Sequence, residues 1–324
     1  MSKKISTRVA YGEALAALGA SKEIVVLDAD LSICTMTEFF KAEYLERFFN
    51  IGIAESNMMG VAAGLATCGK TVFANSFAMF AAGRAYEQIR NSIAYPNLNV
   101  TVVGTHAGLS VGKDGATHQC LEDLSLMRTI PGMTVLCPAD SFETKRAVSW
   151  LVSHKGPAYL RLSRMPVEEV CEHVSFRVGE ASLMHPGEDA CIIACGIMVQ
   201  RALLAAKELE KTGIHVRVLN MSTIKPIDEK SIVKAALETG CIVTVEEHNV
   251  IGGLGSAVSE VLAEQCPTPL YRIGVKDVFG KSGNEEALLE KYGLTTEAIV
   301  LKVKELYLDK GRKSAQKEIA MAGK

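Results

Sequence analysis

The sequence predicts an α/β protein made of two doubly wound domains, the first with a parallel sheet and the second, smaller one with a mostly parallel sheet. Short apolar runs alternate with helix-periodic stretches along nearly the whole chain, the pattern of βαβ units. At 324 residues there is material for about two buried cores. The alternation loosens once, after Arg164, and resumes near Asp189. These observations divide the chain into a first domain over 1–165, a linker over 166–188, a second domain over 189–310 and a polar tail over 311–324.

In the first domain the strand candidates are "EIVVLDAD", "RFFNIGI", "TVFAN", "NVTVVGT", "MTVLCPAD" and "AYLRLS". Helix-periodic stretches separate them at Val9 to Leu18, Glu55 to Thr67, Ala81 to Ile93, Glu122 to Thr129 and Ser141 to Ser153. The linker carries prolines and charges with little helical periodicity. The second domain reads as "ACIIACG", a helix Gln200 to Lys211, "HVRVLNM", a helix Glu229 to Glu238, "CIVTVEE", a helix Ser256 to Ala263 and "PLYRIGV". From Leu308 the chain is Lys-rich and polar and is expected to fray.

Composition narrows the function classes. Lys and Arg number 35 against 37 Asp and Glu, a net charge of -2, which gives no electrostatic footprint for nucleic acid or an anionic membrane. A hydrophobic fraction of 48% and a mean hydropathy of +0.17 fit well-covered sheets. No apolar run approaches the ~20 residues of a membrane span, and "MSKKISTRVAYGEAL" lacks a signal core. Nine cysteines without a CxxC pair read as reduced, small core residues of a cytoplasmic protein.

Ligands of open α/β sheets bind outside the carboxyl ends of the strands, and four features fall there. Glu55 follows "FFNIGI" and opens the small-residue helix "ESNMMGVAAGLATCG". An unpaired buried carboxylate costs several kcal/mol or takes up a proton, so Glu55 either caps a helix through the macrodipole or has a buried partner. The loop "THAGLSVGKDGATHQ" brings His106, Asp114 and His118 together on a glycine-rich path; this favours a polar site, and no zinc-ligand spacing surrounds the histidines. "FANSFAMFAAGRAY" offers Phe73, Phe77, Phe80 and Tyr86, as core or as a ring pocket. Arg161 and Arg164 in "LRLSRMP" and Arg8 in "STRVAYGEAL" are either surface residues or forks for a phosphate or carboxylate.

The stretches "NIGIAESNM", "GTHAGLSVGKDGATHQCLEDLSLMRTIPGMTVLCPAD" and "LRLSR" resemble the pyrimidine-binding domain of transketolases, the thiamine-diphosphate enzymes that move a two-carbon ketol unit. "VTVEEHNVIGGLGSAVSEVL" is similar to the C-terminal domain of the same family, so the resemblance runs from about Ser6 to about Tyr307. It implies that Glu55 hydrogen-bonds the aminopyrimidine ring from an apolar pocket, and that Phe77 and Phe80 flank the ring. It further implies that Asp30 lies near the cofactor and a dimer interface, and that His106 and His118 face the reacting carbonyl and hydroxyls of the sugar. Asp114 would hold an acceptor hydroxyl, and Arg164 with Arg8 the terminal phosphate. One departure is Cys34, near where many transketolases have a phosphate-contacting serine after "ADLT".

The family holds the cofactor's diphosphate and its Mg2+, or another divalent cation, through a GDG motif and a downstream Asn pair, and this chain has neither. The resemblance therefore implies the C-terminal subunit of a split transketolase. Its partner would be an N-terminal subunit that carries the diphosphate and metal site, in an α2β2 assembly acting on sugars or sugar phosphates of the pentose-phosphate kind. The alternatives are a 1-deoxy-xylulose-5-phosphate synthase, a 2-oxoacid dehydrogenase beta subunit, against which "DGATHQCLED" argues, a transketolase for an unusual or sulfonated sugar, and a non-catalytic relative.

Overall fold

Strands buried on both faces need apolar residues at every position, and the central strands satisfy this: Val25 to Leu27, Val72 to Ala74 and Val102 with Val103 are all buried. A computed structural model describes residues 4–322 and arranges fourteen strands among them. In chain order these are β1 (Lys4–Ser6), β2 (Ile24–Asp28), β3 (Phe48–Asn50), β4 (Thr71–Phe77), β5 (Val100–Thr105), β6 (Thr134–Leu136), β7 (Ala158–Arg161), β8 (Pro166–Glu168), β9 (Ser182–His185), β10 (Ala190–Ala194), β11 (Val216–Asn220), β12 (Thr223–Lys225), β13 (Ile242–Asn249) and β14 (Leu270–Val275). The first sheet has the order β12-β6-β7-β5-β4-β2-β3 and the second β14-β13-β10-β11-β9, while β1 and β8 form a separate antiparallel pair. Both large sheets are parallel except for their antiparallel edge strands β12 and β9.

Several elements depart from the sequence reading. The stretch read as a linker contains β8 and β9, and β9 closes one edge of the second sheet. The helix expected at Ala81 to Ile93 is instead two wide π-helical segments, Met79–Arg84 and Ile89–Ala94, around the short helix Tyr86–Gln88. The last helix runs Thr296–Ala322 and takes in the Lys-rich tail. The largest departure is β12, which leaves the second half of the chain to pair with β6 of the first sheet. Three residues carry no usable periodicity, so only the tertiary pairing marks it as a strand.

That crossing strand joins the two halves. One buried cluster runs from Val72 and Val100 through Met133 and Val135 to Met221, Ile224, Ile193 and Leu254 without a break. Each such Val, Leu or Ile contributes roughly 1.5–3 kcal/mol on burial, so the halves share a core. The opposite face of the first sheet is filled by Tyr11, Leu15, Phe40 and Phe73.

The helix Glu55–Thr67 packs Met58, Met59, Ala62 and Ala63 inward. Its outward face is small: at Gly60 and Gly64 an added Cβ would meet nothing within 4 Å. The nine cysteines are free, six buried, Cys34 and Cys266 half-buried and Cys68 exposed. Among the described residues no helix is long and apolar enough to cross a membrane.

Candidate functional site

Parallel strands end on one edge of the sheet, so everything that follows β2, β3, β4, β5 and β7 is delivered to the same place. Asp30 follows β2, Glu55 follows β3, Phe77 ends β4, His106 follows β5 and Arg164 follows β7.

Glu55 is the first residue of its helix, where a carboxylate is favoured by the dipole, and it is 2% exposed. It also has a side-chain partner, though not a buried one. Arg84 Nη1 donates to Oε2 at 2.9 Å, and among the described residues Oε1 has no donor. A guanidinium, itself half exposed, covers the carboxylate. Arg84 also lies over the Phe80 ring, 4.7 Å from its centroid. Sequence reasoning missed Arg84, although one cation inside "FAMFAAGRAY" was the available signal.

Phe77 and Phe80 stack at 6.1 Å and continue into the histidines. Phe77 is 4.0 Å from the ring of His106, and Phe80 meets His118 edge-on at 5.2 Å. One wall therefore runs from Glu55 and Arg84 over two phenylalanines to both loop histidines. Phe73 instead faces the core beside Tyr11.

His106 sits at φ +55 and is 2% exposed. Its Nε2 is 3.4 Å from Arg8 Nη1, and a guanidinium can only donate, so Nε2 accepts and Nδ1 carries the proton toward Thr105 Oγ1 at 3.0 Å. Burial first, then the charges of Arg8, Arg164 and His118, push its pKa down to about 3. The ring is therefore neutral near pH 7. His118 is half-buried, with Nδ1 2.9 Å from Thr117 Oγ1.

The depressed pKa has a sign that can be tested. A histidine at its usual 6.5 in the unfolded chain and about 3 when folded costs nothing above pH 6.5 and destabilises progressively as pH falls toward 3. The cost at the acid end is on the order of 5 kcal/mol. We expect the carbon-bound ring protons of His106 to show no titration by NMR between pH 5 and 9; a midpoint near 6.5 contradicts this assignment.

The cations gather beside His106. Arg8 Nη1 donates to the Cys34 carbonyl at 2.7 Å, while its Nε is buried without a partner. Arg164 Nη1 donates to the Val111 carbonyl at 3.1 Å and lies 3.8 Å from Asp114 Oδ2. Arg161 is not part of this group: it is buried, and its Nε bonds Asp123 at 2.8 Å. Asp30, at φ +63, is exposed and tied to Asn50, whose amide donates to its carboxylate at 2.8 Å. The arrangement offers a buried carboxyl beside an aromatic wall, two imidazoles, and two guanidiniums suited to an anion.

Residues 3–169 match the family model of the transketolase pyrimidine-binding domain, and residues 179–299 that of the transketolase C-terminal domain. A putative transketolase C-terminal section of Methanocaldococcus jannaschii is 50% identical over 303 residues, 92% of this chain and 95% of that one. The 6-deoxy-6-sulfo-D-fructose transketolase subunit SqwH of a Clostridium species is 48% identical over 278 residues, 86% of each chain. Rat transketolase is 41% identical over 310 residues, 94% of this chain but 49% of its own. Among solved structures, a split gene transketolase described as an inactive beta4 tetramer superposes with a TM-score of 0.87 at 51% identity, covering 94% of this chain and 99% of that one.

Proposed function

The chain belongs to the transketolase family, and on that premise we propose that it is the pyrimidine-binding subunit of a split transketolase. It transfers a two-carbon ketol unit from a ketose to an aldose, together with a separate subunit that holds the cofactor's diphosphate and divalent cation. The continuous wall of Glu55, Phe77, Phe80, His106 and His118 carries this reading. The relatives named as a C-terminal section and as a subunit, each of about this length, support the split. The two rival reaction classes gain nothing from them. Nine unlinked cysteines fit work in a reducing cytoplasm.

The residues present fit an aminopyrimidine. Such a ring needs an apolar wall and a buried carboxyl, and Phe77 and Phe80 with Oε1 of Glu55 supply both. Thiamine diphosphate, when bound, supplies the nucleophilic carbon that attacks a ketose carbonyl. Oε1 of Glu55 holds a proton at the pyrimidine nitrogen, while Arg84 keeps its bond to Oε2. His118 presents Nε2 to the sugar oxygens, and neutral His106 orients the substrate beside Arg8. Asp114 binds an acceptor hydroxyl, and Asp30 lies toward the cofactor and the subunit contact. The assembly is an α2β2 pair of pairs.

Arg164 and Arg8 take the terminal anion. Arg164→Ala is expected to weaken anionic sugars by roughly 1.5–3 kcal/mol, the range for hydrogen bonds to charged groups, and to leave uncharged acceptors almost unaffected. Equal loss for both would make Arg164 structural. A sulfonated sugar is the second reading, favoured by Cys34 at the anion site and by the SqwH relative. The deciding assay mixes the chain with a diphosphate-binding subunit, thiamine diphosphate and Mg2+, and follows ketol transfer from fructose 6-phosphate and from 6-deoxy-6-sulfo-fructose. Transfer from either supports the proposal and identifies the anion; transfer from neither overturns it.

A further inference from the structure

The loop that carries His106, Asp114 and His118 is braced from the other half of the chain. Glu247, near the end of β13, is 3% exposed, and its carboxyl points into that loop. Oε1 accepts the Ser110 amide at 2.5 Å and Oε2 accepts Ser110 Oγ at 3.2 Å. Gly108, at φ +82, leaves room for this carboxyl, since an added Cβ would collide with it. Ser110 Oγ also lies 3.3 Å from Ser163 Oγ. Ser163 in turn accepts the Arg8 amide at its carbonyl, 3.4 Å away, and immediately precedes Arg164. A chain of bonds thus links a carboxyl of the second domain to both proposed anion-binding arginines.

We infer that Glu247 is a positioning residue, holding the Gly108 to Ser110 turn so that His106, Asp114 and Arg164 keep a common geometry. A structural filler has no use for a carboxyl here. Burial pushes it up to about 7, against the pull of Arg161 and of the two Ser110 bonds. A carboxyl is retained where its two oxygens satisfy two donors of one loop residue, which no aliphatic side chain can do. The roles of His106, Asp114 and Arg164 rest on the function proposed above; the clamp itself does not.

The test separates the two. Hydrogen exchange at the Ser110 amide in the full chain reads the clamp alone: Glu247→Ala should speed it by about tenfold or more, and Glu247→Gln, whose carbonyl still accepts, should stay within about threefold. In the assembled enzyme Glu247→Ala should lower kcat/KM by at least about tenfold, with Gln restoring most of it. Ser110→Ala should raise KM for the anionic sugar by about fivefold, with kcat and the KM of uncharged acceptors unchanged. Unchanged exchange in Glu247→Ala, or equal losses of activity and melting temperature for Ala and Gln, overturns the inference. If Glu247→Ala does not fold, Ser110→Ala decides: an unchanged KM for the anionic sugar is equally fatal. Absent ketol transfer in the assembled wild type would strike the function reading, and the exchange result would still judge the clamp.

Discussion

Glu55→Gln is expected to abolish ketol transfer while leaving the fold and the subunit pairing intact. A proton-transfer group of this kind commonly contributes roughly 10²- to 10⁴-fold. The stability cost should be far smaller. Arg84 is half exposed, so its pair with Glu55 is screened by solvent and contributes about 0–1 kcal/mol. A glutamine carbonyl can still accept from Arg84, and Arg84 left alone can turn to water. The expected signature is therefore a loss of turnover by two or more orders of magnitude with a nearly unchanged melting temperature. Turnover within a few-fold of the parent chain would remove Glu55 from the chemistry.

The chain by itself should neither catalyse nor hold thiamine diphosphate tightly, and both properties should emerge on mixing with a second polypeptide. Most of the cofactor's charge is in its diphosphate, which the family anchors through a divalent cation with oxygen ligands. What this chain offers is a wall for a small, neutral ring. Burying that ring with a few hydrogen bonds does not readily offset the 4–15 kcal/mol or so lost on immobilising a ligand. The surface beside the site supports a partner there. Ile33 and Ile53, which follow β2 and β3 on the same edge of the sheet as Glu55, are 70% and 77% exposed, apolar surface that an isolated chain does not gain from. Calorimetry on the isolated chain with thiamine diphosphate and Mg2+ should detect no site at micromolar concentrations. A micromolar Kd, or ketol transfer without a partner, would contradict the split arrangement.

The principal strands of both sheets were legible because each is an apolar run bounded by turn residues, and burial on two faces leaves no other composition. β4, β5, β10 and β13 fall within the runs read as strands or extend them by one or two residues. The π-helical segments around Tyr86 were not legible, since a widened turn keeps nearly the same apolar spacing as an α-helix. The roles given to the site residues remain proposals, but their assembly is visible: Glu55, Phe77, Phe80, His106 and His118 lie along one wall, with Arg8 and Arg164 beside it.

The sequence by itself determined which chemistry-bearing residues follow which strands, and parallel topology then brings them to one edge; Glu55, His106 and Arg164 needed no coordinates for that. It could not determine their partners. Arg84 on Glu55 spans 29 residues, Arg8 beside His106 spans 98, and Glu247 on Ser110 spans 137. A local pattern reports only on neighbours a few residues away, whereas hydrogen bonds over such separations depend on how two sheets and a crossing strand pack together. The neutral state of His106 belongs to the same class, because its pKa is set by burial and by arginines from remote segments.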